Sequence, residues 1–195
     1  MLIFQFLILI YSVILHEIAH GLAADRLGDP TARLSKRLTL NPIPHIDPIY
    51  TLLLPLILFL SHAGIIFGAA KPIPIDPFNF REPKKDMALT ALAGPITNIL
   101  IALIFALAFR IFPLELFIFA VQINVVLAVF NLLPVPPLDG SKVLAGFLPD
   151  HLAEELYKLD RFGLTFIFAL LFFAPGLIRA FTYPLMRSII TLLLP

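Results

Sequence analysis

Long apolar runs alternate with short polar, proline-rich stretches along this chain, and the length of the runs sets its class. Residues 1–24 are apolar almost throughout, enough for a membrane crossing, which needs about 20 residues. Gly28, Asp29 and Pro30 stop that helix. Residues 25–47 are polar. Within them the alternation from Ala32 to Leu40 (ARLSKRLTL) predicts a strand. Asn41 to Pro48 (NPIPHIDP) holds too much proline for regular helix. Residues 49–70 are apolar again but are interrupted by Pro55, Ser61, His62, Gly64 and Gly68. Lys71 to Phe80 (KPIPIDPFNF) echoes the earlier proline-rich piece, and Arg81 to Asp86 is a polar loop. Residues 87–110 form a strong span, Pro113 and Glu115 mark a tight turn, and residues 116–133 form the next span. PVPPLDG (Pro134 to Gly140) closes it. Residues 141–161 are amphipathic. Residues 162–194 are apolar and broken at Pro175–Gly176 and Pro184, which fits one span plus an interfacial helix or two short passes. No repeat and no low-complexity linker is visible.

Composition turns this pattern into a class. Of 195 residues, 59% are hydrophobic and 14% charged, and the mean hydropathy is +0.96. A water-soluble domain of this size has too little interior to hide that much apolar surface, so the outside faces lipid. The expected fold is one α-helical, multi-pass domain over residues 1–195 in the cell membrane. A net charge of +1 gives no pull toward nucleic acid. There is no cysteine, which leaves histidine and carboxylate as metal ligands. Residues 1–15 lack a basic start and a small-residue cleavage site, so they are expected to stay as a membrane helix.

Charge orients the chain. Arg26, Arg33, Lys36 and Arg37 fall in one loop, Lys71, Arg81, Lys84 and Lys85 in a second, and Lys142, Lys158 and Arg161 in a third segment. Basic loops favour the cytoplasmic side. The first two basic loops flank residues 49–70, yet a single crossing there would put them on opposite sides. A re-entrant segment at 49–70 removes the conflict, provided protein covers its freed backbone groups.

The chemistry sits in the first span. HEIAH (His16 to His20) fits the HExxH zinc pattern. His16 and His20 stand at i and i+4, on one helix face, and can share one ion. Glu17 can take a proton from a water at the metal and pass it to a leaving amine. Ionisable groups inside a membrane helix are costly and usually functional. Zinc still needs a third ligand, and Asp139 is the best candidate, since it arrives at a similar depth beyond the end of the 116–133 span. The other reading of Asp139 is a cap on the helix that starts near Ser141.

HEIAH, AGPITN (Ala93 to Asn98) and NLLPVPPLDG (Asn131 to Gly140), in this order, resemble the site-2 protease family of intramembrane zinc metalloproteases. The chain looks most like the small prokaryotic members, without an inserted PDZ domain or an appended nucleotide-sensing domain. The resemblance covers nearly the whole chain. It implies one zinc held by His16, His20 and Asp139, with Glu17 as general base. It also implies a catalytic core of helices at about 1–24, 87–110 and 116–133, and cleavage of transmembrane substrates within or near the bilayer. Nothing precedes the HEIAH helix, so any extra N-terminal span is expected to be missing.

Two amides stand near these motifs. Asn131, favoured by the resemblance, and Asn98 are candidates to bind substrate backbone or a developing oxyanion. Interhelical hydrogen bonding is the plainer role for both. His45 and Asp47 are candidates for support of the site or for simple turn structure, and His62 and His151 are weaker still. Residues 33–46 and 71–80 are expected to pair as a small β-hairpin or sheet offering an edge to an unwound substrate. The rival function is a non-proteolytic membrane protein that keeps the zinc site as a scaffold or handles metal. A transporter, however, would line its path with more polar groups than these spans carry.

Overall fold

A computed structural model describes residues 1–61 and 68–194. Its helices are α1 (Leu2–Leu27), α2 (Thr31–Leu34), α3 (Leu54–Leu60), α4 (Pro83–Ile111), α5 (Glu115–Asn131), α6 (Asp139–Phe147), α7 (Asp150–Leu159), α8 (Gly163–Phe173) and α9 (Pro175–Leu193). By length and composition α1 and α4 can each cross a membrane, so the chain is a membrane protein. At 17 residues, α5 is at the short limit for a span. α8 and α9 meet at a bend of 91° at Ala174–Pro175, where the proline cannot continue the preceding helix.

The centre of the molecule is α4, which packs against α1, α5 and α6. α1 and α4 run antiparallel, with His20 beside Thr90 and His16 beside Asn98. α5 returns antiparallel to α4, pairing Asn124 with Asn98 and Phe117 with Phe105. Where these helices leave the site, the packing is apolar. Ala102 and Ala106 of α4 meet Val121, Val125 and Val129 of α5, covered by Met186, Ile189 and Ile190 of α9.

The expected β-hairpin is not formed, and no strand occurs among the described residues. Local chemistry explains the failure of the 32–40 strand. Asp29 accepts from the backbone N–H and the hydroxyl of Thr31, which winds Thr31–Leu34 into a helical turn. Lys36 then takes a left-handed conformation (φ 55°), which ends any extended run. The two regions do meet, but at single bonds and not along a ladder. Lys71 N–H donates to the His45 carbonyl (2.8 Å), and Arg37 donates to the Lys71 carbonyl (2.8 Å).

Residues 69–76 therefore form a non-helical strap across the C-terminal half of α1. Asp29 anchors its far end by accepting from Asp76 N–H (2.8 Å) and from Asn79 Nδ2 (2.8 Å). Residues 48–60 are helical, first a π-helical turn over Pro48–Leu53 and then α3. The Tyr50 carbonyl accepts from Ala69 N–H (3.0 Å), and Thr51 Oγ1 donates to the Ala69 carbonyl (2.7 Å). Tyr50 and Thr51 thus meet Ala69, while residues 62–67 of the expected re-entrant segment lie outside the described residues. His62 lies outside the described residues.

Candidate metal centre

His16 and His20 lie on the face of α1 that α4 covers, and each side chain is only 8% exposed. The HExxH spacing puts them one turn apart, with the ring centroids 4.6 Å from each other. What aims them is α4. The Asn98 carbonyl oxygen Oδ1 lies 2.6 Å from His16 Nδ1, and the Thr90 main-chain carbonyl lies 2.7 Å from His20 Nδ1. Both acceptors call for an N–H at Nδ1, which leaves both Nε2 atoms as lone-pair donors. Between Thr90 and Asn98, Gly94 leaves the necessary room. A Cβ at that position would fall 2.6 Å from His16 Nε2 and closer still to His20 Nε2.

Asp139 closes the group from the other side. The Pro-rich turn brings the chain back from α5, with a cis peptide between Pro136 and Pro137, and Asp139 opens α6. No side chain caps α6, so the capping role for Asp139 is not what the structure displays. Its Oδ2 instead lies 3.1 Å from His16 Nε2 and 3.3 Å from His20 Nε2. Gly140 permits this approach, because a side chain there would collide with the backbone of Leu132 and Leu133.

Three donor atoms thus converge, and the two Nε2 atoms stand 3.0 Å apart. Lone pairs meeting at that distance repel unless a cation lies between them. Tetrahedral zinc with ligand bonds near 2.0–2.1 Å separates neighbouring ligand atoms by about 3.3 Å. The spacing and the donor set, two neutral imidazoles and a carboxylate, fit that ion. Among the described residues this is the one His, Asp and Glu group able to hold a metal.

Glu17 follows His16 and is partly exposed. Its Oε2 accepts from the Ile73 N–H of the strap (2.8 Å). One carboxylate oxygen is therefore fixed by main chain. The remaining expectations spread out. Asn131 donates its amide to the Leu127 carbonyl (2.9 Å), one turn back on α5. His45 is buried and binds the Thr39 carbonyl (2.9 Å). Asp47 caps the turn of Ile49 and Tyr50. His151 is exposed on α7. The sequence reading missed Ser12, Thr90 and Asn124. Ser12 and Asn124 were legible as polar residues inside apolar spans. Thr90 acts through its carbonyl and leaves no residue signature.

Comparisons with known proteins place the chain in a family. The model of peptidase family M50 matches residues 108–174. YwhC of Bacillus subtilis is 36% identical over 181 residues, covering 86% of this chain and 78% of that protein. Rip2 of Mycobacterium tuberculosis is 32% identical over 174 residues, covering 85% of this chain, which spans 65% of Rip2's length. A Methanocaldococcus jannaschii protein, MJ0611, is 39% identical over 87 residues, 41% of this chain and 46% of its own length. All three carry zinc metalloprotease as a provisional name. No solved structure matches. The chain belongs to peptidase family M50, the site-2 protease family of metalloproteases.

Proposed function

We propose that this chain hydrolyses peptide bonds of transmembrane substrates within or near the bilayer, at one zinc ion held by His16, His20 and Asp139. The observation that carries the reading is the convergence of three donor atoms beside Glu17, two of them on buried histidines of a helix long and apolar enough to span a membrane. Zinc at this place supplies Lewis acidity, which polarises a peptide carbonyl and lowers the pKa of water toward about 7.

The chain's own groups do the rest. Ile73 N–H holds Glu17 Oε2, so the other carboxylate oxygen is free to take a proton from water and return it to the leaving amine. The Nδ1 acceptors on α4 fix the Nδ1–H tautomer and turn both Nε2 atoms toward the ion. The relatives' names support the zinc and protease parts of the reading. The basic loops support a site near the cytoplasmic face. The meeting of Tyr50 and Ala69 supports a re-entrant segment between them.

The test uses the full chain in membranes that also hold a reporter with a single transmembrane helix. Wild type should carry about one zinc and cleave the reporter. Glu17→Gln should keep the metal and lose about 10²- to 10⁴-fold in rate. Full cleavage by that variant rejects the mechanism. A zinc-loaded wild type that cleaves no transmembrane reporter favours the scaffold or metal-handling reading.

A further inference from the structure

We propose that Asn98 and Asn124 are positioning residues, which form with Ser12 a one-way chain of hydrogen bonds that locks His16 into the metal-binding tautomer. The proposal rests on His16 being a metal ligand. Its members come from three helices: Ser12 and His16 from α1, Asn98 from α4 and Asn124 from α5. Asn98 and Asn124 are fully buried, and Ser12 is 3% exposed.

The direction of each bond follows from the partners. Asn124 Nδ2 donates to Ser12 Oγ (2.9 Å) and to the Ala120 carbonyl (2.9 Å). Its Oδ1 is then the group that faces Asn98, and Asn98 Nδ2 donates to it (2.9 Å). The second N–H of Asn98 reaches the Ser12 carbonyl (3.4 Å). Asn98 Oδ1 is left to accept from His16 Nδ1 (2.6 Å). Both amide groups have both hydrogens placed.

A flipped Asn98 would set its oxygen against Asn124 Oδ1 and the Ser12 carbonyl, two acceptor–acceptor contacts in a buried apolar setting. It would also present N–H to His16 Nδ1, which would drive the ring proton to Nε2, where no metal could then bind. The chain therefore forbids the wrong tautomer at a distance from the ion. The two ligands differ in this respect. His20 is held by the Thr90 main-chain carbonyl, which no side-chain substitution removes, whereas His16 depends on side chains.

The plainer role for these amides is to join the helices. The two roles separate when metal affinity is measured beside the thermal stability of the metal-free protein. The full chain is purified in detergent. Zinc affinity is read by competition with a chromophoric chelator, and the ligand geometry by the visible spectrum of the cobalt-loaded protein. Asn98→Ala should weaken zinc binding by about 10- to 100-fold and change the cobalt bands. Asn98→Asp keeps an acceptor for His16 while losing the donors to Asn124 and Ser12, so it should recover most of the affinity. Asn124→Leu, which touches the site only through Asn98, should lose up to about tenfold.

If Asn98→Ala and Asn124→Leu lower stability but bind zinc as wild type does, the proposal is overturned and the amides only join helices. Equal losses in Asn98→Ala and Asn98→Asp would overturn it as well. Should Asn98→Ala fail to fold, Asn98→Asp and Asn124→Leu decide the matter. The underlying reading fails separately, if His16→Ala binds zinc as tightly as wild type.

Discussion

The two halves of α4 present the same kind of surface and do different work. Asp86, Thr90, Gly94, Asn98, Ala102 and Ala106 recur every four residues, and all are buried. Such a row advances about 40° around the helix at each step, so it winds from one set of neighbours to another. Over its first part it meets the hydrogen-bonding demands of α1. Thr90 receives His20, Gly94 yields space, and Asn98 receives His16. Over its last part it offers two alanines to the valines of α5. The first half is specified atom by atom, since a misplaced methyl or amide there meets His16 or His20. The second half is specified by volume alone. One helix thus carries a rigid template and an ordinary packing surface, divided just after Asn98.

Substitutions on either side of that division sharpen the contrast or break it. The largest effect is expected at Gly94. Gly94→Ala puts a methyl against both imidazoles and should weaken zinc binding by about 10- to 100-fold, measured by chelator competition. Near-normal affinity would show that the first half has slack. In the second half, Val125→Ala should cost about 1–3 kcal/mol of stability and leave zinc affinity unchanged, as thermal unfolding and the same competition assay would show. A loss of zinc affinity there would erase the division.

The strap gives a smaller effect. Ile73→Pro removes the N–H that holds Glu17, and cleavage should fall about tenfold with zinc retained. The smallest effect concerns Asp29, outside the spans. Burial raises its carboxyl, but bonds from Thr31, Asn79 and Asp76 outweigh it and hold the group below its ordinary range. A depressed folded value means that the unfolded chain binds more protons. The contribution is therefore complete above the unfolded value of about 3.9 and is lost as pH falls through the folded one. Melting temperatures between pH 6 and 3 should decline less steeply in Asp29→Asn than in wild type.

The helices were legible because apolar runs of spanning length leave few alternatives, but the expected break at Pro184 is not there, since α9 runs through it from Pro175 to Leu193. The candidate metal group was legible because His16, His20 and Asp139, with Glu17 beside them, are costly in an apolar setting. The strand at 32–40 was misjudged for a local reason. Alternation describes a face, but the capture of Thr31 by Asp29 and the left-handed Lys36 decide the backbone before any partner strand can. Asn131 drew attention by its place in a motif, and its amide nitrogen donates to its own helix. The supports of the imidazoles were the least legible part. An asparagine in a span signals a hydrogen bond but not its partner, and a main-chain acceptor such as Thr90 signals nothing.

The strap has one further consequence, which concerns association. From Lys71 to Pro74 it owns two N–H groups, because Pro72 and Pro74 have none. Lys71 gives its N–H to His45 and Ile73 gives its N–H to Glu17, so both are spent inside the protein. What this stretch can offer a passing chain is carbonyl oxygen only. A β-ladder needs donors and acceptors in turn, so no neighbouring strand can extend along it by the usual pattern. An exposed ribbon of this kind would ordinarily invite edge-to-edge aggregation. Here the alternating prolines and the bond to Glu17 leave it with a single polarity, unable to template a sheet.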